Sequence, residues 1–492
     1  MTLFEWFCGL LGGVYALSLL HRLLKRTRAP FVTLHTSPRS ARLARNAGES
    51  NLSLGELIAQ QVPELTTAAK FDRAWWLPGG HLQTMYSSLG DFSKVDTVVY
   101  ERKYLELPDG GILGLDITPP LSVQPISESE NVLLVAHGLT GGSHESYVRA
   151  VLARIAQPAL GDAPPSRRFR AVVLNFRGCN GSPVVTPRLY HAGSSDDVRH
   201  VVLWICHTFP SCSMYGLGFS LGANILTKYA GEEGEGCPLS GLVTLANPWD
   251  FVYGSHFLPS TLIGRHVYRW VLGGALRRLL HLHRRAFLDA PELSVPHSVL
   301  EDVFNRPSIT LGQYDTIVTA PMYGFEDEQH YYRTISSIRV IPNIKIPCLS
   351  INSLDDPITG SGGLPIKEAS EPRRTASPST HFDISSFPSY IQAANSLYLV
   401  LAVTNGGGHL GWFEHGCGGR GVRRWYVKPV EQYLAALVGY GLARRPKPCA
   451  TVLGADFARQ EDRADVGFRE LSREQSELLV SGAAESKLFT GW

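Results

Sequence analysis

The sequence predicts an α/β fold with a mostly parallel central sheet that carries helices on both faces. Two observations predict it. Continuous apolar runs typical of buried strands, such as Asn131–Ala136 and Ala171–Phe176, alternate with stretches of helical spacing. In addition, an apolar run from Ser213 leads through Gly218-Phe219-Ser220-Leu221-Gly222 into a helical pattern, which is the strand–turn–helix context of a nucleophilic serine.

Size and composition indicate a globular protein with a large core. The chain has 492 residues, a net charge of +2 and 18% charged residues, so nothing indicates a nucleic-acid or acidic partner. The eight cysteines are scattered without a C-x-x-C pair, which argues against a zinc site or a disulfide framework. We therefore expect one large domain with insertions over residues 71–445, which uses no metal and no cofactor.

The N-terminal segment, residues 1–28, is predicted to be a single-pass membrane anchor. The uncharged run Trp6–Leu20 precedes a basic cluster from Arg22 to Arg28, whereas a cleaved signal would carry its charge before the apolar run. The run is shorter than the roughly 20 residues of a relaxed span, so a buried or surface-lying helix is the alternative. Residues 29–70 are predicted to be a tether with a short helix, Leu54–Gln61.

The elements beyond the tether can be placed in order. Trp75–Tyr86 is dense in aromatic and turn-forming residues and is expected to be a packed, ordered segment. Thr97–Leu107 and Ile112–Ile117 alternate well enough for a β-hairpin. The further predicted strands are Asn131–Ala136, Ala171–Phe176, the run before Ser220, Gly241–Ala246, Pro347–Asn352 and Ser396–Thr404.

The later part of the chain departs from this alternation in three places. From Asn247 to about Ile344 the pattern is that of amphipathic helices. Residues 360–380 are rich in Gly, Ser, Pro and charge, and are expected to be a mobile surface loop. A helix is predicted over Val430–Val438, and residues 446–492 are expected to be a weakly ordered tail.

The stretch Gly218–Gly222 fits the G-x-S-x-G nucleophile elbow. A serine in a strained strand-to-helix turn brings the residues two before and two after it into close contact, so only residues without bulk fit there. Chance alone could place such a motif in a chain with 48 glycines, but rarely between a strand and a helix. Ser220 is therefore the predicted nucleophile.

An activated serine needs a base and an orienting carboxylate, which follow it in the order acid, then histidine. Asp355 and Asp356 come after one buried strand and His409 after the next, where the carboxyl ends of parallel strands place functional loops. We choose Asp356 because the following Pro357 favours a turn that aims its side chain at the site. Asp355 is the alternative.

Two further features bear on the chemistry. The backbone amides of Leu139, which follows His137-Gly138, and of Leu221 are the predicted oxyanion hole. His191 and Asp196 fit H-x-x-x-x-D, a pattern associated with acyltransferases. Because this stretch opens a helix, Asp196 or its neighbours can simply be N-cap residues, and we favour that interpretation.

Together these motifs resemble those of the membrane-anchored α/β-hydrolase family that includes bacterial YheT-type hydrolases, animal abhydrolase-domain lipases and medium-chain fatty-acid ethyl-ester synthase/esterases. The resemblance covers roughly residues 70–440. It rests on the stretches Trp76–Thr84, His137–Gly142, Asn175–Cys179, Gly218–Asn224, Asp355–Pro357 and Gly407–Gly411.

The resemblance implies an α/β-hydrolase fold and a carboxylester hydrolase with the triad Ser220, Asp356 and His409. It implies substrates such as medium-chain acyl esters, monoacylglycerols or phospholipids, and some members transfer acyl groups from acyl-CoA to alcohols. By analogy with the fold, the helical insertion over about residues 250–345 is expected to be a lid, with an ordinary peripheral helix pair as the alternative.

We predict an esterase or lipase whose acyl-enzyme is released to water. Release to an alcohol, which would make the protein an ester synthase, uses the same intermediate and is the first alternative. A non-catalytic lipid-binding protein on the same fold is the second. The expected partners are a lipid or acyl-ester substrate and, through the N-terminal helix, a membrane of the endoplasmic reticulum or a lipid droplet.

Overall fold

The computed structural model describes residues 30–45, 51–127, 130–156, 168–370, 396–416, 421–441, 451–454 and 456–484. Its strands are β1 (Val32–Thr36), β2 (Arg42–Arg45), β3 (Asn51–Ser53), β4 (Glu101–Glu106), β5 (Ile112–Thr118), β6 (Asn131–Ala136), β7 (Arg170–Asn175), β8 (Ser213–Phe219), β9 (Gly241–Leu245), β10 (Cys348–Ser353), β11 (Leu399–Thr404), β12 (Phe413–His415), β13 (Val422–Arg424), β14 (Tyr440–Gly441), β15 (Thr451–Leu453), β16 (Ala458–Gln460) and β17 (Arg463–Glu470).

The described helices occupy both sides of these strands. They are α1 (Leu54–Gln61), α2 (Gly80–Leu89), α3 (Ser146–Ile155), α4 (Ser195–Thr208), α5 (Leu221–Glu233), α6 (Phe251–Ser260), α7 (Arg269–Leu282), α8 (Arg284–Leu288), α9 (His297–Asn305), α10 (Leu311–Tyr314), α11 (Ala320–Met322), α12 (Glu328–Ile335), α13 (Ile366–Ser370), α14 (Val427–Gly439) and α15 (Arg473–Ala484). Two π-helical turns, Gly264–Tyr268 and Asp315–Thr319, and the 3₁₀ turns Pro63–Leu65, Gly234–Gly236 and Ser337–Asn343 lie between them.

Twelve of the described strands form one sheet in the order β1-β11-β10-β9-β8-β6-β7-β5-β4-β17-β16-β15. The six strands from β11 to β7 pair in parallel, and the strands on either side of them pair antiparallel. Parallel neighbours need crossover connections, which here are helices that cover the sheet. The predicted α/β class with a mostly parallel sheet is thus confirmed.

The core is divided by the sheet into two layers. On β6, Leu133 and Val135 face one layer and Val132 and Leu134 the other, because successive side chains of a strand point to opposite faces. One layer packs against α1, α3 and α14, and the other against α4, α5 and helices of the insertion between β9 and β10. The strand ends that carry the site are thereby held from both sides.

The segment predicted to be a tether packs against the body of the protein. β1 pairs antiparallel with β11, with Val32 opposite Thr404 and Thr36 opposite Val400. The helix α1 has the predicted bounds, and its Leu57 and Ile58 are fully buried. Its apolar residues have the helical spacing of an amphipathic face, which needs an apolar surface to cover it.

The segment predicted to be a weakly ordered tail contributes strands to the sheet. β17 pairs antiparallel with β4, and its Val466 and Phe468 are buried in the same layer as α4. The indole N–H of Trp204 on α4 donates to Glu470 Oε2 at 2.9 Å. The region has a polar composition overall, and for this reason no strand was predicted there. The short alternating stretch around Phe468 is nevertheless enough to extend a sheet.

The predicted single-pass anchor and the membrane localisation derived from it are contradicted. Within the described ranges, no helix combines the length and the apolar character that crossing a bilayer requires. The uncharged run on which the prediction rested falls short of a full span, and residues 1–28 lie outside the described residues. Residues 371–380 of the predicted mobile loop and 446–450, 455 and 485–492 of the predicted tail also lie outside them.

The contribution of β17 to the core can be tested by Phe468→Ala. Because Phe468 is almost fully buried, its truncation is expected to lower the free energy of unfolding by about 3 kcal/mol, measured by urea denaturation. Leu453→Ala in β15 is the control, since Leu453 is exposed and its truncation should have little effect. Equal effects of the two substitutions would contradict the packing of β17 described here.

Candidate active site

Ser220 lies at the apex of the turn between β8 and α5, in a strained backbone conformation with φ of 49° and ψ of −119°. A Cβ on Gly218 would come within 2.5 Å of Ala223 Cα, and one on Gly222 within 2.4 Å of Ala136 O. Both contacts are with backbone atoms, which cannot yield as a flexible side chain can. The two glycines therefore have the steric role that the sequence pattern predicts.

The structure brings Ser220, His409 and Asp356 into one chain of hydrogen bonds. Ser220 Oγ lies 2.7 Å from His409 Nε2, and His409 Nδ1 lies 2.7 Å from Asp356 Oδ2. The three residues follow the carboxyl ends of β8, β11 and β10, which meet at one edge of the sheet. With Nδ1 donating to the carboxylate, Nε2 is free to accept the serine proton.

The Asp356 carboxylate is buried, and its hydrogen bonds come from protein groups. Its side chain has no exposed surface, and Oδ1 accepts hydrogen bonds from the amides of Ile358 at 2.8 Å and Thr359 at 3.1 Å. Burial alone would raise the pKa of this carboxyl, but the neighbouring His409 and the two amides outweigh it and hold the pKa below its usual value. The group therefore stays ionised at neutral pH.

Asp355, the alternative to Asp356, has a different set of partners. Its Oδ1 accepts hydrogen bonds from Ser353 Oγ at 2.7 Å and from the amide of Gly408 at 2.8 Å. It thus contacts the backbone of the turn that carries His409, whereas Asp356 contacts the ring. Of the two candidates, the structure brings Asp356 to the imidazole.

The predicted oxyanion hole consists of the amides of Leu139 and Leu221. Both residues line the same cavity as Ser220, and neither amide donates to an acceptor in the part of the chain that the structure describes. On either side of Leu139, the amide of Gly138 donates to Tyr147 Oη at 3.0 Å and that of Thr140 to Tyr190 Oη at 2.7 Å. This arrangement leaves the Leu139 amide available, and its predicted role in an oxyanion hole stays a prediction.

An apolar cavity of about 240 Å³ opens at Ser220. Side chains of the insertion between β9 and β10 supply much of its wall, including Leu258, Leu276, Val318 and Met322. A wall of this kind suits a hydrocarbon chain, because burying apolar surface is favourable. The arrangement can therefore hold an acyl chain beside a nucleophile.

Asp315, also in the cavity wall, is a residue that the sequence reasoning missed. It lies on the π-helical turn Asp315–Thr319 and accepts hydrogen bonds from Thr319 Oγ1 and Tyr332 Oη, each at 2.8 Å. Burial raises the pKa of Asp315 to about 7. No sequence signal could have found it, since one carboxylate within a helical pattern is ordinarily a solvated surface residue.

His191 and Asp196, the acyltransferase-like pair, have separate environments. His191 is packed against Tyr323 and Tyr331, and burial lowers its pKa to about 3. Asp196 is exposed in the first turn of α4 and forms an ion pair with Arg199. Among the described residues no group of three His, Cys, Asp or Glu side chains is placed to hold a metal ion.

Thr84 is a second residue at the site that the sequence did not identify, although the surrounding segment was expected to be ordered. Its Oγ1 accepts a hydrogen bond from the amide of His409 at 2.8 Å. The neighbouring Gln83 accepts from the amide of Phe413 at 2.6 Å. The Trp75–Tyr86 segment therefore packs on the turn that carries His409, a relation over more than three hundred positions that no local pattern reveals.

Comparison with known proteins shows that the chain is similar to proteins named as lipases and esterases. A family model described as the alpha/beta hydrolase fold matches residues 131–368. The monoacylglycerol lipase of Saccharomyces cerevisiae is 32% identical over 78% of this chain and 84% of its own length. The medium-chain fatty acid ethyl ester synthase/esterase 2 of the same yeast is 28% identical, over 65% of this chain and 82% of its own. YheT of Escherichia coli is 25% identical, over 65% and 87%.

The close approach of Gly222 to Ala136 predicts the effect of Gly222→Ala. The added methyl group would push α5 away from the end of β6 and move the serine, so covalent labelling of Ser220 by a fluorophosphonate probe is expected to slow sharply. Gly236→Ala is the matched control, since a Cβ there meets no atom within 4 Å. Normal labelling of the Gly222→Ala protein would show that the contact with Ala136 is not restrictive.

Proposed function

Because this chain belongs to the abhydrolase-domain lipase family of α/β hydrolases, we propose that it is a serine carboxylester hydrolase that acts on medium-chain acyl esters or monoacylglycerols. The observation that carries the proposal is the unbroken chain of 2.7 Å hydrogen bonds from Ser220 through His409 to Asp356. A serine becomes nucleophilic when an adjacent base takes its proton and a third group orients that base.

In the first half of the reaction Ser220 Oγ attacks the ester carbonyl carbon and gives its proton to His409 Nε2. The ionised Asp356 stabilises the imidazolium that forms and keeps the ring in the correct tautomer. His409 then donates the proton to the leaving alcohol, and the acyl group stays on Ser220. In the second half a water molecule gives a proton to Nε2 and attacks the acyl carbon. The bond between that carbon and Ser220 Oγ then breaks, His409 returns the proton to Oγ, and the acid is released.

The negative charge that develops on the carbonyl oxygen requires donors that are already in place. The amides of Leu139 and Leu221 supply them in this proposal, since both residues line the same cavity as Ser220. The Leu221 amide lies at the N-terminus of α5, where the helix dipole also favours negative charge. Losing one donor of this type typically raises the barrier by about 2.7–4 kcal/mol.

The substrate class is inferred from the cavity and from the relatives. The apolar wall accepts a hydrocarbon chain, and the yeast relatives are named for monoacylglycerols and for esters of medium-chain fatty acids. The helical insertion is the proposed lid: it supplies cavity wall and contacts α2 through a hydrogen bond of 2.9 Å between His81 Nδ1 and Tyr268 Oη.

Transfer of the acyl group to an alcohol is the second candidate function. It is favoured by the similarity to an ethyl ester synthase/esterase, and chemically it differs only in which nucleophile reaches the acyl-enzyme. The same site can perform both reactions in a ratio set by the access of water and alcohol.

The proposed triad predicts different effects for the two neighbouring aspartates. Asp356→Asn is expected to lower kcat by roughly 10⁴-fold, because an amide cannot stabilise the imidazolium and favours the wrong tautomer. Asp355→Asn keeps an oxygen acceptor for Gly408 and should cost far less. Hydrolysis of p-nitrophenyl esters of graded chain length measures both.

Two outcomes, one of that experiment and one of fluorophosphonate labelling, would contradict the proposal. One is a severe loss of activity in Asp355→Asn with a mild loss in Asp356→Asn, which would reverse the assignment of the orienting acid. The other is fluorophosphonate labelling that persists in Ser220→Ala, or is absent from the wild-type protein, which would favour the non-catalytic alternative.

The second candidate predicts product partition in the presence of an alcohol. With a medium-chain acyl donor, free fatty acid is the expected product in water, and ethyl ester should appear in a rising proportion as ethanol is added. Both products should vanish with Ser220→Ala, since both arise from one acyl-enzyme. Failure to detect ethyl ester at any ethanol concentration would exclude synthesis and leave hydrolysis.

A further inference from the structure

The first turn of α2 lies directly between the two loops that carry the acid and the base of the proposed triad. A Cβ on Gly80 would lie 1.8 Å from the backbone oxygen of Asp355, and one on Gly408 would lie 2.4 Å from the backbone oxygen of Gly80. Backbone therefore packs on backbone at both contacts. The position of α2 is in this way coupled to the separation of Asp356 and His409.

The hydroxyl of Thr84 makes the polar connection between α2 and the base. It donates its one proton to the backbone oxygen of Gly80 at 2.7 Å, and so its lone pairs are left to accept the amide of His409 at 2.8 Å. Thr84 is almost fully buried. Without this hydroxyl the His409 amide would lose its acceptor within the protein.

The adjacent amide of the same turn is held from a different element. Gly408 N–H donates to Asp355 Oδ1, and that carboxylate oxygen is itself fixed by Ser353 Oγ at 2.7 Å. Two successive amides, Gly408 and His409, are thus held by one acceptor from the loop after β10 and one from α2. The turn cannot rotate without breaking one of these bonds.

We propose that Thr84 is a positioning residue of the active site, whose hydroxyl fixes the backbone of His409 and thereby the reach of the imidazole to Ser220. The proposal rests on the proposed function. A displacement of about 1 Å of a reacting group by a change outside the chemistry can cost up to about 10²-fold in rate. Thr84 acts through His409 and is not among the described residues that line the cavity at Ser220.

The remainder of α2 is docked independently of Thr84. Gln83 accepts the amide of Phe413 and donates to the backbone oxygen of Leu77 at 2.9 Å, and Ser87 Oγ donates to the backbone oxygen of Leu410 at 3.0 Å. Removing the Thr84 hydroxyl should therefore loosen the His409 turn while α2 remains in place. This separates a positioning role from a general role in folding.

The test compares Thr84→Val, which keeps the shape and loses the hydroxyl, with Thr84→Ser, which keeps the hydroxyl. Ser88→Ala, one turn further along α2 and exposed, is the control for loss of a hydroxyl from this helix. The measurements are kcat and KM for a medium-chain p-nitrophenyl ester, the rate of fluorophosphonate labelling and the thermal unfolding transition.

Thr84→Val is expected to lower kcat and the labelling rate about tenfold, within the range for lost alignment, with KM unchanged and the unfolding transition retained. Thr84→Ser should recover most of both rates, and Ser88→Ala should resemble the wild type. The proposal is overturned if Thr84→Val has normal kcat, if Thr84→Ser is as impaired as Thr84→Val, or if Thr84→Val loses its cooperative unfolding transition. A wild-type protein that is not labelled at all would instead overturn the proposed function.

Discussion

The position of one imidazole ring is the constraint on which the rest of the site depends. His409 must reach Ser220 with one nitrogen and Asp356 with the other, and each of the three residues follows a different strand. A parallel sheet meets this requirement because its strands end at a common edge. The two apolar layers that clamp the sheet keep those ends in register, so the packing far from the site determines the geometry within it.

The electrostatics of the site depends on the same burial. Burying a carboxylate away from solvent costs free energy unless the group is paired and hydrogen-bonded. Asp356 is paired with His409 and accepts hydrogen bonds from two backbone amides. In a region of low dielectric these interactions are stronger than they would be in water. Asp315 shows the contrasting outcome: burial raises its pKa to about 7, although hydroxyl groups donate hydrogen bonds to both of its oxygens and act to lower the pKa.

The parts of the fold that sequence predicts are those encoded locally. β6 and α1 have the predicted bounds, because a continuous apolar run and an amphipathic spacing are complete within the segment itself. The turn at Ser220 is local in part: Gly218 is constrained by Ala223 within the turn, whereas Gly222 is constrained by Ala136 at the end of β6. The choice between Asp355 and Asp356 is not local: adjacent carboxylates share a turn, and only the position of the ring decides which one meets it.

What the sequence does not predict depends on partners far along the chain. Residues 30–36 have the composition of a tether, yet β1 acquires its hydrogen bonds from β11, and β17 acquires its partner from β4. The roles of Thr84 and Asp315 also depend on distant partners. The hydroxyl of the one and the carboxylate of the other acquire their hydrogen bonds or their shifted pKa only from groups that the fold places next to them. Asp315 lies within a helical pattern and Thr84 within a segment of aromatic and turn-forming residues, and neither pattern reveals those partners.

The pairing of β1 with β11 has a consequence for the exposed margin of the sheet. β11 leads into the turn that carries His409, and β1 occupies the hydrogen-bonding groups along its outer side. Were residues 30–36 removed, a row of free amide and carbonyl groups would be open to recruitment by an extended strand of another molecule. Such intermolecular pairing would begin at the strand that leads to His409, so self-association would disturb the turn that places this ring beside Ser220.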